Sequence, residues 1–339
     1  MLTIERKHSL TQYTTLKVAA TTDYFAIVKN KVDLMAAIEF SKTNNQPLFI
    51  LGGGSNVLFS KNVKGLLIKN EIKGIKIIQK NKEKVLLEAL SGEPWSKFVA
   101  YTVENKFYGL ENLFLIYGTV GAAPVQNIGA YGVELKDVFH SLKAVDLKTG
   151  REKIFSRADC RFGYRDSIFK NKFRNKYFIY SVTVELSRRP NFKLDYGSIG
   201  DALSAKGIKK PSAQDIIKTI AEIRNSKLPN PYILFNAGSF FKNPEINHKT
   251  FKELVKKYPS IPSFPTNHSK VKIPAGWLIE QVGLKGKKFG PVRMYEKQAL
   301  ILVNEGGAKA KQVLNLVSKV KTAVKKKFGL DLNEEVNII

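Results

Sequence analysis

From Gly118 to Gly132 the chain reads Gly-Thr-Val-Gly-Ala-Ala-Pro-Val-Gln-Asn-Ile-Gly-Ala-Tyr-Gly, four glycines and three alanines in fifteen residues. A run with so few large side chains cannot build an ordinary core, and it carries neither a helical nor a strand period. Small side chains over this length suit backbone lying flat against a large planar or diphosphate ligand, with Gln126 and Asn127 supplying paired donors and acceptors. A close-packed turn between domains is the bland alternative.

A second stretch weighs against that alternative. Pro47-Leu-Phe-Ile-Leu51 reads as a buried strand that runs into Gly52-Gly53-Gly54-Ser55-Asn56 and leaves through Val57-Leu-Phe. Three glycines after a strand leave backbone N–H groups bare to an approaching anion. The loop fits neither common nucleotide pattern. Val57 stands at the third glycine position of the dinucleotide fingerprint, and no Gly-x-x-x-x-Gly-Lys occurs, which disfavours a Rossmann fold or a P-loop. Two separate ligand-loop candidates are harder to explain by packing than one.

The rest of the chain supplies a mixed scaffold. Residues 32–44 place Leu34, Ala37, Ile38 and Phe40 near one helical face. Further helices are expected from about Pro94 to Asn105, from Ser212 to about Asn225, and from about Ala308 to Lys327 with Gly329 as its stop. Ser212 and Asp215 stand in a capping arrangement. Strands are expected at 65–68, 75–78, 85–89, around 142–146 and 178–186, and near 332–339. Pro229, Pro231 and Gly238 mark a linker. At 339 residues the chain is long enough for two or three domains, and the pattern is α+β without internal repeats.

Composition excludes more than it assigns. The formal charge of +27 invites a nucleic-acid reading, but only ten of the 56 basic residues are arginine and the lysines are scattered rather than gathered on one stripe. No nucleic-acid partner is expected. No stretch approaches the ~18 apolar residues of a membrane span, and Glu5 falls where a signal peptide needs apolar residues, so a cytoplasmic protein without membrane insertion is expected. Cys160 is the single cysteine, and His8, His140, His248 and His268 lie too far apart for a metal motif.

Four segments carry a resemblance: Leu51-Gly-Gly-Gly-Ser-Asn-Val-Leu58, Gly118 to Gly132, Phe162-Gly-Tyr-Arg-Asp-Ser167, and Asn236-Ala-Gly-Ser-Phe-Phe-Lys-Asn-Pro244. In order and spacing they resemble the UDP-N-acetylenolpyruvoylglucosamine reductases. Pro274-Ala-Gly-Trp-Leu-Ile-Glu280 and Gln298-Ala-Leu-Ile-Leu-Val-Asn304 extend the match toward the C-terminus. The resemblance implies a two-lobed FAD-binding region of the vanillyl-alcohol-oxidase type, residues 1–66 with 329–339 and residues 67–210, plus a C-terminal α+β substrate domain at 211–328. It implies a bacterial enzyme of cell-wall synthesis that uses NADPH and non-covalent FAD to reduce a UDP-sugar enolpyruvyl ether. A monomer is expected.

The resemblance also assigns residues. FAD contacts are implied at Gly52, Gly53, Gly54, Ser55 and Asn56, and at Gly118, Thr119, Val120, Gly121, Ala122, Gln126, Asn127, Gly129, Ala130, Tyr131 and Gly132. Hydride addition to the enolpyruvyl terminal carbon drives charge into the adjacent carboxylate, which needs cationic stabilisation and one proton at the neighbouring carbon. By the match, Arg165 pairs with that carboxylate, Glu335 helps polarise it and Ser239 donates the proton. Arg224 and Lys227 match positions that contact the nucleotide; Tyr164, Asn243, Lys285 and Gln298 match the substrate side. Tyr196 resembles the substrate-closing tyrosine of the longer family subtype. Tyr117, Thr14, Tyr295 and Asn337 depart from the usual residues. The rival readings are another FAD-dependent oxidoreductase on the same fold and a basic binding protein that has lost catalysis.

Overall fold

The computed structural model describes residues 2–196, 198–266 and 269–339; His268, and the Gly197 that follows Tyr196, lie outside the described residues. The chain divides into two compact units. One comprises residues up to His8, Thr22–Gly53 and Val63–Ser226, and the other comprises Ser9–Thr21, Gly54–Asn62 and Lys227–Ile339.

The first unit holds two sheets. In the four-stranded sheet the order is Glu5–Ser9, Thr21–Val28, Val63–Asn70, Leu48–Leu51, and the last three run parallel. The helix Lys31–Thr43 is capped by Asn30, whose side chain accepts the Asp33 N–H at 2.9 Å, and buries Leu34, Ala37 and Ile38 as the spacing predicts. Leu51 ends its strand and opens into Gly52. The glycine triplet therefore leaves from the carboxyl end of a parallel strand, where open α/β sheets present ligands.

The five-stranded antiparallel sheet has the order Glu152–Ser156, Phe139–Asp146, Tyr177–Ser187, Lys84–Leu90, Ile75–Lys80. Alternate residues such as Leu87, Ala89, Val182 and Val184 point into a core completed by Trp95 and Phe98 of the helix Trp95–Glu104. The 118–132 segment corrects the expectation of flat backbone. Val120–Gln126 winds as a 3₁₀ helix, and Val120, Ala123 and Ile128 join this same core. Its small residues serve close packing as well: the Gly121 N–H donates to the Ser91 carbonyl at 2.9 Å.

The helix Ala213–Lys227 starts with the expected reciprocal cap. The Ser212 N–H donates to the Asp215 carboxylate at 2.9 Å, and the Asp215 N–H donates to the Ser212 hydroxyl at 3.2 Å. Ile216 and Ile220 pack on Ile199 and Leu203 of a short helix, Ile199–Ala205, that the sequence pattern did not predict.

The second unit is built on a sheet ordered Phe235–Ser239, Ile301–Asn304, Val292–Met294, Lys288–Phe289. The helix Ala310–Phe328 lays Val313, Leu316, Val317, Val320, Val324 and Phe328 into a core with Phe240 and Phe241, and Gly329 at φ 70° ends it. The expected final strand is shorter than its apolar pattern implies. Only Asn337–Ile338 forms a strand, parallel to Val57–Leu58, because residues 333–335 bond instead to the Phe240–Lys242 backbone. Among the described residues, no helix is long and apolar enough to cross a membrane.

Cys160 is fully buried in the core of the first unit, and that burial pushes its thiol up to about 12. Near pH 8 its thiolate fraction is then roughly 10³-fold below that of an ordinary cysteine. Labelling of the native protein by a thiol reagent should be slower by at least that factor and become complete in guanidinium. Native labelling at the rate of a free thiol would contradict this burial.

Candidate active site

In the first unit, the glycine loop and the second small-residue stretch touch at Gly52. A Cβ there would lie 2.7 Å from the Thr119 hydroxyl oxygen, so only a bare Cα allows the approach. The Thr119 side chain is buried, and its hydroxyl finds no hydrogen-bond partner among the described residues. Such a group calls for a ligand or solvent partner. The Gly52 carbonyl accepts a hydrogen bond from the Lys69 ammonium at 2.6 Å.

The second stretch is knotted to the turn that carries Arg165. Asn127 is fully buried at a left-handed φ of 43°. Its amide donates to the Glu134 carboxylate and to the Gly163 carbonyl, both at 3.0 Å, and accepts the Lys136 N–H at 3.0 Å. Both amide donors and one acceptor site are therefore engaged inside the protein, so Asn127 helps to hold the stretch in shape. Gly163 and Asp166 exchange two backbone hydrogen bonds across the turn, which sets Arg165 at φ 50°. A non-glycine residue held there costs about 1 kcal/mol, a strain typical of functional positions. Arg165 Nη2 donates to the Gly129 carbonyl at 2.7 Å, and its guanidinium lies 5.6 Å from the Tyr164 ring centre. The neighbouring Asp166 carboxylate accepts the Asn171 amide at 2.9 and 3.1 Å.

Tyr131 and Gly132 close the stretch, both at positive φ. Burial raises the Tyr131 pKa, against the pull of a hydrogen bond from Arg224. Burial likewise lowers that of Arg224, while Tyr131 and Tyr117 oppose the shift. Asn112 donates to the carbonyls of Tyr131 and Lys193, each at 2.8 Å. Lys227, one helical turn after Arg224, is exposed.

In the second unit, Ser239 sits beside a bulge. The pairing of Phe235–Ser239 with Ile301–Asn304 shifts register between Asn236 and Ser239, and Gly238 takes φ 73°. Buried Asn236 holds this distortion: its side-chain oxygen accepts the Gly238 N–H at 2.9 Å, and its amide donates to the Leu234 carbonyl at 2.8 Å. Bulges of this kind re-aim a side chain beside an active site. Immediately after Ser239, the Phe240 carbonyl accepts the Glu335 N–H at 2.8 Å and the Lys242 N–H donates to Asn333. Lys242 and Glu335 thus lie on one short ladder that begins at the residue after Ser239, while Ser239 itself pairs with Ile301.

The other half of the glycine loop is fixed to the same segment. The Asn56 amide donates to the Glu335 carbonyl at 3.3 Å, and the Asn56 carbonyl accepts the backbone and side-chain N–H groups of Asn337, both at 3.1 Å. Asn337 therefore has a positioning duty of its own. Asn243 accepts the Ala275 N–H at 2.9 Å and caps the helix Ala275–Gln281, Gln298 packs its side-chain oxygen against Gly276, and Lys285 pairs with Glu280 at 2.7 Å. Sequence reading missed Lys69, Asn112 and Asn236. Only Asn236, first residue of the Asn-Ala-Gly-Ser segment, had a visible signal.

The chain is similar to known proteins in sequence and fold. Residues 230–339 match the C-terminal domain of UDP-N-acetylenolpyruvoylglucosamine reductase, and residues 22–156 match an FAD binding domain. The chain is 42% identical to the UDP-N-acetylenolpyruvoylglucosamine reductase of Flavobacterium johnsoniae over 338 residues, and 42% identical to that of Pseudomonas aeruginosa over 337, covering 99% of each chain and of this one. The crystal structure of UDP-N-acetylenolpyruvylglucosamine reductase from Thermus caldophilus superposes with a TM-score of 0.67 at 22% identity, over 100% of this chain and 99% of that one, which supports the fold. The bare approach at Gly52 and the buried Thr119 hydroxyl fit the FAD that such a domain binds. With an FAD-binding domain, the family's C-terminal domain and full-length similarity to its enzymes, the chain belongs to the UDP-N-acetylenolpyruvoylglucosamine reductase family of FAD-containing oxidoreductases.

Proposed function

We propose that this protein reduces UDP-N-acetylglucosamine enolpyruvate to UDP-N-acetylmuramate for peptidoglycan synthesis, with NADPH as the source of electrons. The observation that carries the reading is the bulge at Asn236–Ser239, which ends at a serine next to Phe240, the residue whose carbonyl accepts the Glu335 N–H. When bound, FAD supplies the hydride chemistry. The chain's own residues manage the charge and the proton. Arg165 pairs with the substrate carboxylate as charge accumulates there, Glu335 polarises it, and the Ser239 hydroxyl gives a proton to the adjacent carbon. Lys242 steadies the alkoxide left behind. Arg224 and Lys227 hold the UDP diphosphate, and Tyr164, Asn243, Lys285 and Gln298 contact the substrate. Tyr196 closes over it, as in the longer subtype. Residues 1–66 with 329–339 and residues 67–210 serve FAD, while 211–328 serve the substrate.

The test is NADPH oxidation that depends on the enolpyruvyl sugar and yields a product heavier by two hydrogens. Sugar-independent oxidation, or reaction with simple phenols or sugars instead, would favour another oxidoreductase of the same fold. FAD should leave with mild denaturation, and flavin that stays on the denatured chain would contradict non-covalent binding. Lys227→Ala should weaken the UDP-sugar by about 1.5–3 kcal/mol, the worth of a charge-assisted contact, without slowing bleaching by NADPH. Arg224→Ala should do the same, with an added cost from the lost Tyr131 contact. Equal slowing of both half-reactions would remove these two residues from the nucleotide clamp.

A further inference from the structure

Lys69 lies one residue before the end of the strand Val63–Asn70, in parallel register with Leu51, directly beside the start of the glycine loop. Its ammonium is half-buried, and burial holds its pKa below the ordinary lysine value. Among the described residues it makes no ion pair with a carboxylate, and the hydrogen bond it donates goes to the Gly52 carbonyl at 2.6 Å. Glu71 attracts it without forming an ion pair and Lys73 repels it, so the partly desolvated cation remains costly. Also beside Gly52 stands the buried Thr119 hydroxyl, which has no partner among the described residues. A cation and a hydroxyl, unsatisfied in different ways and beside the same glycine, both call for an anion.

The peptide plane shows how they act together. In a trans peptide the carbonyl of one residue and the N–H of the next point in opposite directions. With the Gly52 carbonyl drawn to Lys69, the Gly53 N–H is turned away from it. We propose that Lys69 is a positioning residue for the diphosphate of FAD, drawing in the Gly52 carbonyl so that the Gly53 N–H faces the phosphate and offsetting the phosphate charge from beneath the loop. Next to it, Asn70 donates to the Ser91 hydroxyl at 2.8 Å, and the Ser91 carbonyl accepts the Gly121 N–H, so the same strand end fixes both ligand stretches. The inference rests on the glycine loops being the FAD site and is independent of the roles given to Ser239, Arg165 and Glu335.

The experiment uses full-length apoprotein, freed of flavin and titrated with FAD and with riboflavin, which lacks any phosphate. Lys69→Met should raise the Kd for FAD by roughly 10–100-fold, the range of a charge-assisted contact. Riboflavin affinity should stay within about two-fold, and Lys69→Arg should recover most of the FAD affinity. The Tm of apo Lys69→Met should match wild type while the rise produced by FAD shrinks. Should Lys69→Met not fold, Lys69→Gln carries the same comparison. The proposal is overturned by an unchanged FAD Kd, by equal weakening of FAD and riboflavin, or by an apoprotein Tm loss as large as the loss in the FAD-bound form. If wild-type apoprotein failed to bind FAD at all, the underlying site assignment would fall, whatever Lys69 does.

Discussion

Ser239→Ala is expected to leave bleaching by NADPH at nearly the wild-type rate and to slow reoxidation by the enolpyruvyl sugar by roughly 10²–10⁴-fold, the usual worth of a positioned general acid. That corresponds to about 3–5 kcal/mol of barrier. The two half-reactions separate because only the second needs a proton at the substrate carbon. A serine hydroxyl is a weak acid, yet an enediolate-like carbanion is basic enough to take its proton. The backbone of Lys242, three residues on, is fixed by Asn333, which keeps that lysine on the ladder with Glu335. Ser239→Cys should recover part of the rate. A stopped-flow comparison decides the matter: equal slowing of both steps, or none in the second, would reduce Ser239 to a turn residue held by its bulge.

The second large effect is structural. Gly54 takes φ 65°, and a Cβ at that position would lie 1.9 Å from the Tyr13 carbonyl oxygen, an atom of the backbone that cannot rotate away. The Gly54 carbonyl in turn accepts the Thr15 N–H at 3.1 Å, and Thr15 donates its hydroxyl to Asn236 at 2.6 Å. Moving this segment therefore disturbs the residue that holds the Ser239 bulge. Gly54→Ala should destabilise the protein by about 2–4 kcal/mol, from a left-handed alanine at roughly 1 kcal/mol plus overpacking of about 1–3 kcal/mol. Gly52→Ala should be milder for stability, because it meets the Thr119 hydroxyl of a side chain rather than backbone. Urea unfolding of the apoproteins checks this ordering, and a wild-type midpoint for Gly54→Ala would contradict it.

Much of this was legible in the sequence where the cause is local. The Ser212–Asp215 cap, the stop at Gly329 and the apolar faces of Lys31–Thr43 and Ala310–Phe328 follow from residues within a few positions of one another. The helix His248–Lys257 carried such a signal too, since Asn247 accepts the Thr250 N–H at 2.8 Å, and reading that pair as a cap would have found it. The contacts of Asn127 and Lys69 were not legible. Each depends on a backbone group brought near by chain reversal or sheet register, such as Gly163 for Asn127 and Gly52 for Lys69. Motif reading assigns a polar residue in a glycine-rich run to the ligand, whereas the fold spends several of them on holding the run in shape. The final strand is short for a related reason: its apolar pattern is real, but its backbone finds partners on two different segments in succession.

One FAD-loaded protein should pass electrons from NADPH to the enolpyruvyl sugar. This transfer is tested most directly by mixing NADPH-bleached protein, without oxygen, with UDP-N-acetylglucosamine enolpyruvate while following the flavin absorbance. The account predicts that the yellow colour returns at a rate that saturates with the sugar, with one UDP-N-acetylmuramate formed per flavin. Colour that returns only when oxygen is admitted, with the sugar recovered unchanged, would contradict it.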